Sequence, residues 1–356
     1  MDLITQGILG GAIAQAGYQN KLGKKAVFWG AVIGMAPDID VFFLQFSGHP
    51  MAEEMYHRGF THSLFFAPLV APLFAAFLGK WYDKVLKSDH YWNWYWLAFW
   101  ALITHPLLDI FTTYGTQLLN PLSNHRFSLS GIAVIDPVYS LPLLGVILIG
   151  LRGKTREFRS YLSSLMLLLT TAYLFYGVSC NQLALTRAHH SLRQHGASLV
   201  NSYPTLLQIH VRRLVAHVGN EVWVAYTTTF PGASYPIRWE KHKKADPEIC
   251  YHFLGSCEAQ IYNWFCDGDY VITNSQNTLK MHDLRFGFVG PSQLGIWGIE
   301  AKVAADGKLL QLPRKFRNSM KIIRGHAAVT SATIIKLLKA SIGYENRTLG
   351  IYTQAD

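Results

Sequence analysis

The sequence predicts a polytopic α-helical membrane domain over residues 1–180, followed by a soluble α+β, mainly β, domain over residues 181–356. Three observations carry that expectation. The chain is 50% hydrophobic and 13% aromatic but only 15% charged, which is richer in apolar and poorer in charged residues than an ordinary soluble protein. The long apolar runs fall almost wholly before Asn181. Beyond it the sequence turns polar and strand-like.

Within the first region, apolar segments at 26–48, 63–79, 91–112, 132–151 and 160–179 each approach the ~20 residues that a helix needs to cross a bilayer. Ahead of them, "MDLITQGILGGAIAQAGYQ" is apolar and glycine-rich but has no basic leader and no cleavage site. It is expected as a retained re-entrant or amphipathic helix, not a signal peptide. Lys21, Lys24 and Lys25, then Lys80, Lys84 and Lys87, then Arg152, Lys154, Arg156 and Arg159 mark three short basic loops. Basic loops stay in the cytoplasm, so the region after Cys180 is expected on the other side of the membrane.

Polar groups interrupt the apolar segments at defined places: Asp38 and Asp40 in "APDIDVFF", His57 and His62 in "HRGFTHS", His105 and Asp109 in "THPLLDIFTTYG", and Asp136 in "IAVIDPVY". A carboxylate at the centre of a spanning helix costs about 2.5–3.5 kcal/mol on insertion scales, so several of them call for pairing, hydration or a bound cation. With the basic loops inside, all four neighbourhoods reach the same external face. His105, Asp109 and Thr112, spaced i, i+4 and i+7, share one helix face. His57 and His62 would diverge on a regular helix and need the irregular backbone that Gly59 permits. Mixed imidazole and carboxylate donors suit zinc, manganese or iron, and carboxylate-rich sets also take magnesium. Each piece alone has a plainer reading. A histidine pair in a loop is usually surface or hydrogen-bonded histidine, "HPLLD" is a histidine with a carboxylate one turn on, and Asp136-Pro137 starts a helix or turn. Their conjunction on one face favours a metal site over a polar network that packs the bundle or an ion or proton pathway.

In order, "MDLITQGILGG", "APDID", "HRGFTHS", "THPLLDIFTTYGTQLLNPLSNHRF" and "IDP" resemble the bacterial and archaeal inner-membrane metal-dependent hydrolases of the YdjM-like group, over about residues 1–140. The resemblance implies a polytopic protein of the bacterial inner membrane with a metal-dependent hydrolase site; in a bacterium the side to which the basic loops assign residues 181–356 is the periplasm. It makes Asp40, His57, His62, His105 and Asp109 the metal ligands, zinc the foremost ion, and Asp38 or Asp136 the base. Arg58 and Arg126 are expected to grip an anionic group, which points to ester or phosphoester substrates such as lipid head groups. The family usually has Thr-His where this chain has Thr5-Gln6, and an amide cannot replace imidazole as a strong donor.

Competing readings are a non-enzymatic transporter or scaffold binding a structural ion, and a membrane peptidase. Glu53-Glu54 followed by Arg58 resembles the EExxxR of the CAAX-protease and bacteriocin-processing family, but "GHPMAEEMYHRG" reads as a loop or solvated face where that family needs a helix. HExxH, G-x-S-x-G and Walker motifs are absent.

The second region opens on a helix, "NQLALTRAHHSLRQHGASLV", and continues with strands at "EVWVAYTTTF", "DYVITNS" and "GIEAKVAA". It carries 20 of the 32 basic residues against 12 acidic ones, a surface suited to solubility or to anionic lipid. Nucleic acid is not expected, since no binding module accompanies the charge. Cys250, Cys257 and Cys266 allow one disulfide, or structural zinc together with His252.

Overall fold

A computed structural model describes residues 1–82, 88–153, 155–232, 236–287 and 294–317. Lys84, Lys87 and Lys154 of the basic loops, and the end of the second region after residue 317, lie outside the described residues.

Helix α1 (Leu3–Gly17) starts where the Asp2 carboxylate accepts the Thr5 amide at 3.0 Å. The short α2 (Gln19–Leu22) follows, then α3 (Lys25–Met35). The α1 and α3 backbones come together at glycines. A Cβ on Gly10 would lie 2.1 Å from the Gly30 carbonyl oxygen, and one on Gly34 would lie 2.7 Å from that of Gln6. Small residues allow this approach, in which main-chain and dispersion contacts replace interdigitated side chains. The N-terminal helix is therefore no peripheral amphipathic element. It packs against α3, α7 and α8 and buries Thr5, Gln6, Gly10 and Gln15.

After α3 the helix tightens into a 3-10 turn over Ala36–Ile39, where Pro37 supplies no amide donor, and then continues as α4 (Asp40–Leu44). Helix α5 (Ala52–Tyr56) precedes a 3-10 turn at Phe60–His62, and α6 (Phe66–Tyr82) runs antiparallel in sequence order to α7 (Ser88–Asp109), against which it packs. An irregular stretch leads to α8 (Pro137–Arg152) and the 36-residue α9 (Arg156–Ser191).

Two stretches are long and apolar enough to cross a membrane, Lys25–Leu44 and Arg156–Ser191; Ala52–His62 with Phe66–Tyr82, bent by 66°, makes up to a third. Five expected segments thus reduce to two or three among the described residues, for local reasons. The 132–151 segment loses its first turn because Asp136 starts the helix, leaving α8 short. The 91–112 segment is helical to Asp109, but Tyr91, Trp92, Trp94, Tyr95, Trp96, His105 and Asp109 lower its hydropathy.

The chain divides into two units. One comprises Met1–Ser47 and Tyr56–Val178; the other comprises Gly48–Met55 and the chain from Ser179 onward. The second unit holds two antiparallel four-stranded meanders. The first is β1 (Leu199–Pro204), β2 (Val211–Val218), β3 (Glu221–Thr228) and β4 (Glu240–Lys243). Helices α10 (Pro247–Leu254) and α11 (Cys257–Cys266) separate it from β5 (Tyr270–Ser275), β6 (Thr278–Asp283), β7 (Trp297–Lys302) and β8 (Arg314–Arg317). Val215, Val222 and Val224 of the first sheet share a core with Val271 of the second and with Leu284. The end of α9 covers the first sheet by packing Ala184 and Ala188 on Leu214 and Ala225. All four cysteines are free thiols, so the disulfide that the sequence allows is not formed: Cys250 and Cys266 are buried, whereas Cys257 is exposed.

The α1–α3 contact leaves no room for a side chain. Gly10→Val is expected to destabilise the protein by about 1–3 kcal/mol through forced separation of the two helices. Thermal unfolding of the detergent-solubilised protein measures it, with Gly17→Val, whose Cβ would meet nothing within 4 Å, as the control.

Candidate metal centre

Three elements bring one donor each to a single point. The 3-10 turn after α3 contributes Asp38, the turn at Phe60–His62 contributes His62, and the last turn of α7 contributes His105. These residues can offer ligand atoms all within 4.8 Å of one another. Asp38 Oδ1 lies 3.1 Å from His62 Nε2 and 3.4 Å from His105 Nε2, and the two Nε2 atoms are 3.0 Å apart. Asp109 Oδ2 lies beside this three-residue group, 3.6 Å from His62 Nε2 and 3.7 Å from His105 Nε2, and is paired with Arg58. Ligands at about 2.1 Å in a tetrahedron are separated by about 3.4 Å, which the three spacings among Asp38, His62 and His105 approach.

Outer contacts orient both rings. His105 Nδ1 lies 2.6 Å from the Gly34 carbonyl, which only accepts, so Nδ1 carries the proton. Thr61 Oγ1 donates its hydrogen to Asp40 Oδ2 at 2.7 Å and must therefore accept from His62 Nδ1 at 2.9 Å. In the neutral rings both Nε2 atoms then carry lone pairs, and these face each other at 3.0 Å.

Asp109 is fully buried and held from several sides. Arg58 Nε is 3.2 Å from its Oδ2, Gln6 Nε2 donates to its Oδ1 at 3.0 Å, and the Met1 amino nitrogen also meets Oδ1. Asp109 Oδ2 and Gln6 Oε1 are buried without a hydrogen bond among the described residues, so the polar centre is not closed by protein groups alone.

The remaining predicted residues take other positions. Asp40 and His57 form a pair, Nδ1 to Oδ1 at 2.9 Å, beside the three-residue group. Asp38 thus stands where a ligand was expected of Asp40, because the 3-10 turn aims the earlier carboxylate at the imidazoles. Arg58 is buried, donates to Thr112 Oγ1 at 3.0 Å and stacks 4.6 Å from the Tyr114 ring centre; it serves Asp109 and is not open to a substrate. Arg126 spends Nη2 on the carbonyls of Tyr114 and Gly115 at 3.1 and 3.0 Å. Asp136 is a helix cap: Oδ1 accepts the Val138 amide at 2.9 Å and Oδ2 the Tyr173 hydroxyl at 2.9 Å, which commits it to α8 and α9 instead of to a base's role. Glu53 and Glu54 pair with Lys315 of β8, at 3.5 and 2.7 Å, and stand outside the donor group that a peptidase reading would require them to form.

Sequence reasoning missed Thr61, Tyr114 and the Gly34 carbonyl. For Thr61 a signal existed, since a hydroxyl next to a ligand histidine is a ready acceptor for its second nitrogen. A backbone carbonyl leaves no such trace.

Residues 1–183 match the YdjM inner membrane protein family, and the chain belongs to it. Among curated proteins, it is 39% identical over 114 residues to the inner membrane protein YbcI of Escherichia coli, covering 30% of this chain and 62% of that protein. It is 34% identical over 97 residues to the uncharacterized protein YfhP of Bacillus subtilis, covering 27% of this chain and 28% of that protein. The chain therefore spans less than two thirds of either relative. No solved structure matches it.

Removing one partner of a buried ion pair strands the other. Arg58→Ala should cost about 3–5 kcal/mol of stability by leaving Asp109 without its guanidinium. Arg58→Ala combined with Asp109→Asn should recover much of that loss, and thermal unfolding of the four proteins of the cycle measures the coupling.

Proposed function

We propose that Asp38, His62 and His105 hold one divalent ion beside Asp109, zinc foremost and manganese, iron or magnesium as alternatives, and that the protein is a membrane-bound hydrolase of esters or phosphoesters. The carrying observation is the meeting of two oriented imidazole Nε2 atoms at 3.0 Å, each shown by its outer contact to bear a lone pair when neutral. Two lone pairs at that distance repel unless a cation or a proton lies between them. The donor set, two imidazoles and one carboxylate, fits such an ion with a position left open. When bound, a divalent ion supplies Lewis acidity toward the scissile group. The chain's own contribution is orientation: Gly34 and Thr61 fix the imidazoles, while Arg58 and Gln6 fix Asp109.

The substrate class follows from the surroundings. Phe42 and Phe43 of α4, and Phe46 just after it, are exposed a few residues from Asp38 and Asp40, an apolar surface that favours an amphiphilic ester such as a lipid. For orientation, Arg152 ahead of α9 and Arg156 and Arg159 at its start argue for a cytoplasmic start to that span, hence a periplasmic second unit.

Metal analysis of the purified protein is expected to give about one ion per chain, falling sharply in His62→Ala, His105→Ala and Asp38→Ala. Turnover of bis-p-nitrophenyl phosphate or p-nitrophenyl butyrate should disappear with chelator and return with zinc. Full occupancy without turnover, together with ion flux in vesicles, would favour the transport reading; unchanged metal content in all three variants would defeat the metal site. A reporter fused after Cys180 should be active only outside the cytoplasm.

A further inference from the structure

We infer that His57, oriented by Asp40, moves the proton of the hydrolysis; the inference rests on the hydrolase reading above and assigns His57 a catalytic role instead of that of a ligand. His57 Nδ1 is 2.9 Å from Asp40 Oδ1, and a carboxylate accepts, so Nδ1 carries the hydrogen and Nε2 bears the lone pair. Nε2 makes no hydrogen bond among the described residues, although the side chain is only 13% exposed. An imidazole that is held on one nitrogen by a carboxylate and bare on the other has the arrangement of an acid–base histidine.

Its surroundings agree. The ring stands edge to face with His62 at 5.4 Å between centres, beside the donor group but outside it. Tyr114, 5.5 Å away on another side, walls the ring, and Arg58 backs Tyr114 in turn. The second oxygen of Asp40 takes the Thr61 hydroxyl, whose oxygen accepts from His62 Nδ1. One carboxylate therefore aligns both His57 and the ligand His62, which fixes the proton carrier relative to the centre without a bond between the two rings.

For a phosphodiester the step balances as follows. Water attacks phosphorus and gives one proton to His57 Nε2 as the new P–O bond forms. The ester P–O bond breaks, the leaving alkoxide takes that proton back from Nε2, and the products are a phosphomonoester and an alcohol. His57 ends neutral, as it began.

The experiment uses full-length, detergent-purified, zinc-loaded protein with bis-p-nitrophenyl phosphate and p-nitrophenyl butyrate as probes. His57→Ala and His57→Gln are expected to keep the wild-type metal content and melting temperature but to lose turnover by about 10²–10⁴-fold. Added imidazole should restore part of the activity of His57→Ala. Asp40→Asn should lower turnover as well, with the metal retained. His57 variants that lose metal as His62→Ala does would make His57 a ligand and overturn the inference, and so would His57 variants with unchanged turnover. Both results leave the hydrolase reading standing. If zinc-loaded wild type turns over neither probe, the hydrolase reading itself falls and takes the proton role with it.

Discussion

The close approach of α1 to α3 is the constraint on which the site depends. Gly10 and Gly30 touch through main-chain atoms, and Gly34 sits against the Gln6 carbonyl. That contact sets two things at once. It puts Gln6 within reach of Asp109, and it seats α3 where the Gly34 carbonyl can take the Nδ1 hydrogen of His105. A bulkier interface would displace the acceptor that decides which nitrogen of His105 is free. The tautomer of a candidate ligand thus traces back to the absence of side chains two helices away, a link from sequence through packing to chemistry.

Charge is the second constraint. Asp38, Asp40 and Asp109 crowd around imidazoles that are neutral when both Nε2 atoms are free, and Arg58 is the guanidinium among them. Three carboxylates against one guanidinium leave two negative charges before the Met1 amino group is counted. A polar centre of that sign beside apolar helices is costly unless a cation joins it, because the Coulomb penalty among like charges grows as the dielectric falls. A divalent ion answers both the charge and the facing lone pairs. Protons on the imidazoles would answer them only while the rings stayed charged.

The sequence made the residue types and their neighbourhoods legible, and it left their division of labour hidden. "APDID", "HRGFTHS" and "THPLLD" pointed to one centre, and their donors do meet. Which aspartate faces the histidines depends on Pro37, whose 3-10 turn rotates Asp38 inward relative to a regular helix; two carboxylates two residues apart cannot be told apart by spacing. Arg58 read as a substrate clamp because a guanidinium beside a polar centre suits an anion, but its left-handed backbone, φ 61°, turns it toward Asp109. Asp136 read as a base because a buried acid is suspicious, yet Asp-Pro at a helix start is a sufficient explanation once Tyr173 supplies the second partner. The strands of the second unit were readable from β-branched runs and turn residues: β3 and β5 lie within their expected stretches and β7 overlaps the third. The membership of Gly48–Met55 in that unit was not, because an ion pair from Glu54 to a lysine more than 250 residues away has no local signature.

The chain between Asp40 and His57 passes through both units. Asp40 and His57 are joined by 2.9 Å of hydrogen bond and by the chain between them, and most of that chain, Gly48–Met55, folds with the C-terminal sheets. Met51 and Ala52 are buried there, and Lys315 of the edge strand β8 pairs with Glu54. An ion pair that is one-third exposed on the lysine side adds little stability by itself. The family match ends at residue 183, so this anchor is supplied by a part of the chain beyond the region that defines the family. The candidate donors thus belong to the unit that carries the family match, whereas Gly48–Met55 belongs with the sheets that follow it.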